Sequence, residues 1–511
     1  MPDTFSRRAL LAGAAGASLA LMLAACSSPQ GAEGGAAGGT AGTVRWGWTL
    51  PTTWDSAVAI GYDVHVLSLV YSGLTKLSVA GDAEPDLAES WAYNDTGDAV
   101  TFTLREGQVF TDGSPVDAAA VKTSLERGRD LPESTAAQSL AVVEEITADS
   151  ELEVTLHLTE TNYQIPLLLA GLIGHILSPA QIESGENIAL KPVGAGPFLL
   201  EDYVPDSHAD LVRNPDYWNA DAIGFESLQV LPKPDSSVAV AGVTSGQYTI
   251  AQIDNSQIEA AERAGLRVDV NEIFNVYTLQ VNTRFEPFTD ERVTQALSHA
   301  VNRQALVDSI LFGHGTPDWQ PFNESSVGFA PDIAEPYPHD VARATELLAE
   351  AGHPDGVDVT LYISNDPLVQ QIAEVVQTQV AEAGFRLALE VAPAGGGILQ
   401  AHDYTLNFSS FSGRESPAQA LEVLYSSGGW MNISEQESPN LQPALEAVRR
   451  TPLDDPSYPE VLQEATRIAV TEKAPHVFLV NWVRAYAISP SVEGFDAYPH
   501  TQRFEGVSLA G

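Results

Sequence analysis

Side chains able to do covalent or metal chemistry are sparse in this chain and follow no catalytic spacing. The sequence has one cysteine, Cys26, and 11 histidines, none of them in a His-x-x-His or His-Glu-x-x-His run. The Gly-x-Ser-x-Gly turn that exposes a nucleophilic serine is absent as well. Carboxylate pairs are too common in so acidic a chain to indicate a hydrolytic site. The sequence therefore predicts that the protein is not an enzyme, and that it has no directly coordinated metal and no cofactor.

Cys26 ends an N-terminal segment with the features of an export signal. Paired arginines at positions 7 and 8 precede an apolar stretch from Ala9 to Ala25. The arginines resemble a twin-arginine signal, and Leu23-Ala24-Ala25-Cys26 resembles the lipobox of bacterial lipoproteins. We expect residues 1–25 to be a signal peptide, exported by either the twin-arginine or the general secretory route. A lipidated Cys26 would hold the protein at the outer face of the cytoplasmic membrane, in the periplasmic space or cell envelope.

An uncleaved membrane anchor is the alternative for this segment. It is less well supported, because the apolar stretch is shorter than the ~20 residues of a transmembrane helix and is rich in Ala and Gly. Residues 26–42 are almost entirely small and polar, and they predict a flexible tether between the lipid and the folded chain.

The composition is that of an acidic globular protein. The 511 residues include 68 acidic and 25 basic side chains, which gives a formal net charge of −43. Such a charge disfavours nucleic acid and anionic lipid headgroups as partners. The length predicts two or three domains. With one cysteine in the chain, their cores must be stable without an internal disulfide.

Strands and helices are mixed throughout, which predicts an α/β fold with some α+β character. The clearest unit is a strand at 359–363, a helix that starts at Pro367 after the Asp366 cap and stops at Gly384, and a strand at 385–391. A strand, helix and strand in this order form a βαβ unit with parallel strands.

Other segments predict elements with clear ends. Asp117 and Asp340 are placed to cap short helices, and residues 100–104 alternate as a strand. Apolar spacing from Asp290 through Val301 to Leu306 predicts one long helix. Residues 85–91 predict a short helix or a loop.

A set of short motifs runs in collinear order along the sequence. Two of them, Asp112-Gly113 and Gly194–Pro197, predict turns in which glycine supplies a positive φ. Together the motifs resemble one family, the extracytoplasmic solute-binding proteins of ABC importers, in the peptide/nickel branch that includes the dipeptide and oligopeptide receptors. Each motif is weak by itself, whereas their joint order is specific. The motifs are Pro85–Trp91, Val100–Gly107, Phe110–Val116, Ser124–Arg127, Pro192–Phe198, Arg213–Trp218, Asn282–Arg284, Pro287–Phe288, Arg292, Gln295–Leu297, Asn302–Arg303, Gly313–Pro317 and Leu347–Gly352.

The resemblance implies a two-lobed, periplasmic-binding-protein-like α/β fold of class II type with an extra inserted domain. Lobe III would span 282–483 and the inserted domain II 82–190, with hinge strands near 281–284 and 483–486. Closure of the lobes would hide a small solute from water, and the loaded protein would dock on the membrane permease. The expected role is a substrate-binding lipoprotein of an ABC transporter, active as a monomer. Lobe I would comprise 43–81, 191–281 and 484–511.

The stretch Ser410–Pro417 of lobe III gives an indication of the type of ligand. Peptide receptors of this family carry an aspartate there that pairs with the peptide α-ammonium, and alignment on Pro417 puts Gly413 at that position with Arg414 beside it. Because arginine binds carboxylates bidentately, we hypothesise a peptide-like ligand with an anionic or polyhydroxylated group, not an ordinary free-amine peptide. In the alternative alignment Glu415 supplies the carboxylate and Arg414 is a solvated loop residue.

Position in the family fold gives the other candidate ligand-binding residues. Trp48 lies on the first strand of lobe I, Tyr277 precedes the hinge, and Trp430 with Asn432 follows a lobe III loop. Aromatic rings beside amides suit a cleft that holds a solute by apolar contact and a few hydrogen bonds. Packing in a core is an equal alternative for each ring. The full set is Trp48, Thr52, Tyr277, Phe411, Ser412, Arg414, Trp430, Asn432 and Trp482.

Two other functions share parts of this pattern. A sensor or accessory receptor on the same scaffold would signal to a membrane partner instead of a permease, and the sequence does not separate it from an importer. A secreted hydrolase is disfavoured by the missing catalytic motifs. A metal would enter only inside a chelator, whose carboxylates Arg414 could bind.

Overall fold

The computed structural model describes residues 42–392, 402–472, 475–498 and 500–510, without the side chains of 272–274. The predicted signal peptide, the lipidated Cys26 and the tether up to residue 41 lie outside these residues, so they stay predictions. No helix in the described part of the chain is long and apolar enough to cross a membrane.

The strands form one large mixed sheet, a separate four-stranded sheet and two short strand pairs. The strands are β1 (Thr43–Trp48), β2 (Thr75–Leu77), β3 (Ala83–Pro85), β4 (Ala88–Tyr93), β5 (Ala99–Leu104), β6 (Val143–Ala148), β7 (Glu153–Leu158), β8 (Phe198–Val204), β9 (His208–Arg213), β10 (Ser227–Pro232), β11 (Ile250–Ile253), β12 (Arg267–Val281), β13 (Gly315–Pro317), β14 (Val357–Ile363), β15 (Phe385–Val391), β16 (Leu406–Phe411), β17 (His476–Ile488), β18 (Val492–Glu493) and β19 (Ser508–Leu509).

Helices connect and cover these strands. The α-helices are α1 (Val64–Leu67), α2 (Ala118–Asp130), α3 (Ala137–Leu140), α4 (Ile165–Leu168), α5 (Pro179–Ser184), α6 (Ser236–Thr244), α7 (Ile258–Arg263), α8 (Glu291–Ala300), α9 (Arg303–Ser309), α10 (Val341–Glu350), α11 (Pro367–Ala381), α12 (Pro417–Tyr425), α13 (Leu441–Arg450) and α14 (Tyr458–Thr471). Short 3-10 helices lie at Gly61–Asp63, Leu172–Gly174, Ala220–Ala222, Asn255–Gln257 and Pro331–Ile333.

Two long antiparallel strands, β12 and β17, join the two halves of the large sheet. The strand order is β15-β14-β16-β12-β17-β11-β1-β10-β9-β8, with β13 beside β17. One end of β17 pairs with β11 as well as β12, whereas the other end of β12 pairs with β16. The β12–β17 register shifts between Glu272 and Val276, in the middle of the two strands. Such an irregularity is typical of a place where a strand bends, and it lies where the sheet passes from one half to the other.

Separate hydrophobic cores lie in the two halves. One core contains Trp46 and Trp48 of β1 with the rings of Phe198 and Phe504. The other contains Leu279 of β12 with the apolar faces of α8 and α11. A third core, around Phe102, lies between the four-stranded sheet β4-β5-β7-β6 and α2. These cores occupy segments assigned above to lobe I, lobe III and domain II, whose boundaries stay a prediction.

The locally encoded elements agree with the sequence. Strands β14 and β15 are parallel and α11 connects them, so the predicted βαβ unit is confirmed. The Asp366 side chain accepts hydrogen bonds from the N–H groups of Leu368 and Val369 and caps α11. Asp117 and Asp340 cap α2 and α10 in the same way, by accepting from the third residue after each cap.

Two secondary-structure predictions are wrong. The single long helix from Asp290 to Leu306 is two helices, because Val301 takes an extended conformation and Asn302 starts α9 by accepting from the Ala305 N–H at 3.0 Å. Residues 85–91, predicted as a helix or loop, belong largely to strands. β3 pairs with β2, and β4 pairs with β5, so backbone partners distant in sequence decide this segment.

One of the two glycine motifs is a turn of the expected kind. Gly113 has a φ of +82°, as predicted. Gly194 and Gly196 do not have a positive φ; instead, both lie against the backbone of Val70, where a Cβ would collide with the carbonyl group. The predicted reason for glycine at these positions was therefore wrong, and close backbone approach replaces it.

Candidate functional site

A cavity of about 750 Å³ opens between the cores of the two sheet halves. Trp48 reaches it from one core, and Tyr277 reaches it from the other. The volume lies within the ~300–1,000 Å³ of small-molecule sites. The lining residues are Trp48, Thr49, Tyr62, Lys233, Pro234, Asp235, Ser236, Ser237, Gln252, Asp254, Tyr277, Ser364, Asp366, Pro367, Leu368, Val369, Ser410, Trp482 and Arg484.

The most buried part of the lining, here named the floor, consists of Trp48, Tyr277, Trp482 and Arg484. The Trp48 ring stacks on Trp46 with centroids 5.0 Å apart. The Tyr277 ring stacks on Trp482 at 5.8 Å with an angle of 18° between the planes. Burial raises the pKa of the Tyr277 phenol, and nearby Asp366 adds to the effect, so this hydroxyl stays neutral. The floor therefore combines flat apolar surface with one cation.

Arg484 is that cation. The residue is buried, with 2% of its surface exposed. Its guanidinium carbon lies 5.1 Å from the centroid of the Trp48 ring. The guanidinium lies close enough to the Tyr486 phenol to lower its pKa against the effect of burial, but Nε and Nη1 have no hydrogen-bond partner. Among the described residues, no carboxylate forms an ion pair with Arg484. Because a buried charge without a counter-ion is costly, the floor is suited to an anionic group.

Exposed residues of the lining form the rim of the cavity. The rim consists of Tyr62 and the charged residues Lys233, Asp235, Asp254 and Asp366. Desolvation of the Lys233 ammonium by neighbouring atoms lowers its pKa, while Asp254 opposes the shift and Arg484 adds to it. One carboxylate oxygen of Asp366 is used in capping α11. The rim is therefore predominantly acidic, in contrast to the floor.

The structure brings together three of the nine predicted ligand-binding residues, Trp48, Tyr277 and Trp482, at this cavity. Thr52 does not line it; its hydroxyl lies 3.4 Å from the Asp63 carboxylate. Asn432 is buried, and its amide donates to the carbonyls of Tyr425, Ser426 and Gln436, which gives it a structural role within its own loop.

Arg414 lies at a second cavity, of about 340 Å³, and not at the larger one. Its guanidinium carbon is 5.4 Å from the ring centroids of both Phe411 and Trp430, and Nη1 donates to the Gly413 carbonyl at 2.6 Å. Desolvation lowers the pKa of Arg414, and adjacent Glu415 opposes this. The arginine is thus held between rings and is not the solvated loop residue of the alternative alignment.

The remaining predicted residues, Phe411, Ser412 and Trp430, belong to the described lining of neither cavity. Phe411 is buried in a core with α12, and Trp430 is 61% exposed. Ser412 bonds to Tyr62, so it touches a residue of the larger cavity without lining it. Burial raises the pKa of the Glu415 carboxyl, with Arg414 opposing. Glu415 lines the second cavity as Arg414 does.

Sequence reasoning missed most of the polar groups of the larger cavity. Arg484 lies two residues after Trp482 on one strand, so strand alternation would have placed both on the same face. Lys233, Asp254 and Asp366 come from three separate segments that only the fold brings together. Asp366 was recognised in the sequence as a helix cap alone.

A cluster of side chains of the types that bind metal cations lies away from both cavities. Asp202, His208 and Asp210 on the β8–β9 hairpin are the only described group of three metal-ligating side chains close enough to share an ion. The His208 Nε2 atom lies 3.1 Å from an Asp202 oxygen and 3.7 Å from an Asp210 oxygen. An imidazole between two carboxylates accounts for this geometry without a metal.

Comparison with known proteins identifies this architecture. The family model for bacterial extracellular solute-binding proteins, family 5, matches residues 82–432. The chain belongs to this family. The protein is therefore an extracytoplasmic solute-binding protein and not an enzyme, and it has the family's two-lobed α/β fold with an extra domain.

The glutathione-binding protein GsiB of Escherichia coli is 27% identical to it over 481 residues, which cover 88% of this chain and 93% of the relative. Among solved structures, AgaA from A. tumefaciens in complex with agropinic acid has a TM-score of 0.80 and 25% identity, covering 92% of this chain and 99% of AgaA. The periplasmic binding protein DppA from Helicobacter pylori, in complex with the peptide STSA, has a TM-score of 0.79 and 22% identity, covering 92% and 99%. At that identity DppA bears on the fold alone.

Proposed function

We propose that the protein is the substrate-binding lipoprotein of an ABC importer, which captures a small peptide-like or otherwise anionic solute and delivers it unaltered to a membrane permease. The observation that carries this proposal is the 750 Å³ cavity whose lining comes from both sheet halves. Rotation of one half against the other about β12 and β17 would enclose a solute there. A solute that contacts both halves stabilises the closed form, which a permease can distinguish from the empty one.

The expected class of solute rests on two supports. The Nε and Nη1 atoms of Arg484 at the floor, which have no hydrogen-bond partner, suit an acidic group. The similar proteins GsiB and AgaA bind, by their names, glutathione and agropinic acid, which are both carboxylic acids. Trp48, Tyr277 and Trp482 would contact the apolar part of such a solute.

Cys26 would hold the protein to the outer face of the cytoplasmic membrane through its lipid. A receptor on such a tether meets its permease by diffusion along one surface, which raises the local concentration of each for the other. In this scheme the inserted domain, 82–190, belongs to the scaffold and not to the site, since it contributes no residue to the described lining of the larger cavity.

The test starts with native mass spectrometry of the protein purified from its own host, to identify a retained solute. We expect one small compound per chain, which calorimetry should show to bind reversibly and in unchanged form. Uptake of the labelled solute should then fall in a strain that lacks the protein, and Cys26→Ala should release the protein from the membrane. Unchanged uptake in that strain would instead favour the sensor, and chemical conversion of the solute would contradict a transport role.

A further inference from the structure

The floor of the larger cavity has buried hydrogen-bond donors without a partner. The described lining has no buried side-chain acceptor in the same state. In the described lining, the buried side-chain atoms without a hydrogen bond are Nε1 of Trp48, Nε1 of Trp482, and Nε and Nη1 of Arg484. All are N–H groups. Buried polar groups in native proteins are paired, so each unpaired group at a cavity points to a partner supplied by ligand or water.

The distribution of charge also distinguishes the floor from the rim, and it too favours an anionic group at the floor. The floor has the Arg484 cation, whereas the rim has the carboxylates of Asp235, Asp254 and Asp366 and the single ammonium of Lys233. The groups that face Arg484 offer no compensation: His65 is kept neutral because burial lowers its pKa, with Arg484 itself adding to the shift. Tyr486 is kept neutral because burial raises its pKa to about 12. The described surroundings thus leave the floor positive and the rim acidic.

We propose that Arg484, held against Trp48, is the anchor for a ligand carboxylate, and that the cationic end of the same ligand lies toward Asp254 and Asp366 at the rim. This inference rests on the function proposed above and defines its solute class: a small zwitterionic carboxylic acid that binds with its carboxylate innermost. The free Nε and Nη1 groups lie on different edges of the guanidinium, and each can donate a charge-assisted hydrogen bond to a carboxylate oxygen of the ligand.

The geometry also explains why the anchor is an arginine. The Trp48 ring, 5.1 Å from the guanidinium carbon, is itself fixed by stacking on Trp46 and by an edge contact with His65 at 4.8 Å. A planar guanidinium lies on such a ring without losing its in-plane donors. A lysine in its place would present a point charge without several donors fixed in one plane.

Arg414 provides a matched control. It is also a partly buried arginine beside aromatic rings, but it lies at the second cavity and uses Nη1 on the Gly413 carbonyl. A variant there tests whether any loss of a cation next to a tryptophan weakens binding. Only Arg484 should control the affinity for the carboxylate.

The experiment uses paired probes on the full protein. Calorimetry measures the binding of four acids: reduced glutathione, agropinic acid, alanyl-phenylalanine and the solute retained from the host. Each acid is compared with its own derivative, in which the carboxylates are converted to amides. Glucose and cellobiose serve as neutral probes. The same titrations are made with Arg484→Gln, Arg484→Lys and Arg414→Gln.

We expect at least one acid to bind and its amide to bind at least 100-fold more weakly. Arg484→Gln should lose at least 100-fold in affinity for the acid, Arg484→Lys about 10-fold, and Arg414→Gln less than 3-fold. In Arg484→Gln the acid and the amide should bind equally. Acetylation of the probe amine should cost less than amidation of the carboxylate, because the rim is exposed.

Three outcomes would overturn the inference: an amide that binds wild type as well as its acid, an Arg484→Gln variant with wild-type affinity, or a retained solute without an acidic group. Each leaves solute capture itself intact. The absence of any retained or bound solute would contradict the proposed function and the inference together. The acid–amide comparison on wild type needs no variant, so it tests the solute class even if Arg484→Gln fails to fold, and the conservative Arg484→Lys variant then tests the residue.

Discussion

The Tyr62 and Ser412 hydroxyls lie 3.1 Å apart and join parts of the chain separated by 350 residues. Tyr62 lines the larger cavity and contacts the Trp48 ring, whereas Ser412 follows directly on β16 in the other half of the sheet. This hydrogen bond therefore bridges the two halves at the mouth of the cavity. It is exposed, so its effect on global stability is small, but it favours the arrangement in which the halves are close.

Removal of this bridge should weaken solute binding. Tyr62→Phe and Ser412→Ala should each raise the Kd of the retained solute about 2- to 10-fold, as expected for the ~0.5–1.5 kcal/mol of one hydrogen bond. The double variant should bind no more weakly than either single one, because the same bond is lost in all three. Calorimetry measures the three values, and Ser409→Ala, on the preceding strand β16 and outside the lining of the cavity, is the control. Additive losses in the double variant would contradict a shared bond.

Arg449 links the inserted domain to the part of the chain that carries the second half of the sheet. Its Nη1 lies 2.6 Å from Glu422 and its Nε lies 3.3 Å from Glu160. Burial raises the pKa of Glu422, and Arg449 counteracts this. Arg449→Gln leaves two carboxylates facing each other, and we expect a loss of about 1–2 kcal/mol in the free energy of unfolding at pH 7.5.

Urea unfolding checks this loss. Glu422→Gln in the Arg449→Gln background should restore part of the stability, because it removes one of the facing charges. A double variant less stable than Arg449→Gln would show that the ion pair is not the source of the effect.

The elements that the sequence predicted correctly are those whose causes are local. Asp366, Pro367 and Gly384 define α11 through caps within a few residues, and the strands beside it alternate visibly. Asn302 shows the limit of this reasoning. Apolar spacing continues across it, but its side chain caps a new helix while its backbone N–H donates to Gln379, a residue 77 positions away.

The larger cavity shows the same difference between what the sequence predicts and what depends on distant contacts. Trp48 and Trp482 were predicted from their places in the family fold, which the resemblance supplied. Trp48 lies on the first strand of lobe I, and Trp482 lies next to a hinge strand. The acidic-ligand hypothesis was drawn from Arg414, which lies at the second cavity, whereas the arginine that lines the larger cavity is Arg484. No pattern in the sequence reveals that Arg484 forms no ion pair with any described carboxylate, because this depends on the residues that the fold packs around it.

The two glycine motifs predict different costs of substitution. A Cβ at Gly196 would lie 2.6 Å from the Val70 carbonyl oxygen, and the neighbouring atoms are backbone that cannot turn aside. We expect Gly196→Ala to lower the free energy of unfolding by about 3 kcal/mol. Gly113 has open space around its Cβ position and a φ of +82°, so Gly113→Ala should cost about 1–2 kcal/mol from backbone strain alone. Urea unfolding of both variants makes the comparison, and an equal cost would contradict the close-approach explanation.

His476 should make the protein sensitive to acid. It is buried, and its Nε2 lies 3.0 Å from the Leu424 carbonyl oxygen. Burial lowers the pKa of His476 to about 4, against about 6.5 in the unfolded chain. The unfolded chain therefore binds this proton first, so the native state loses stability as the pH falls from about 6.5 toward 4.

Replacement by glutamine isolates this contribution. The glutamine side chain has no titrating group but can still donate to the Leu424 carbonyl, so His476→Gln should remain folded. The stability of wild type relative to His476→Gln should fall by about 2 kcal/mol between pH 7.5 and pH 5.0, because each further pH unit below 6.5 adds about 1.4 kcal/mol. Urea unfolding at pH 7.5, 6.0 and 5.0 measures the difference, in which the titration of all carboxylates common to both proteins cancels. A difference that stays constant over this range would mean that His476 is protonated in the folded protein.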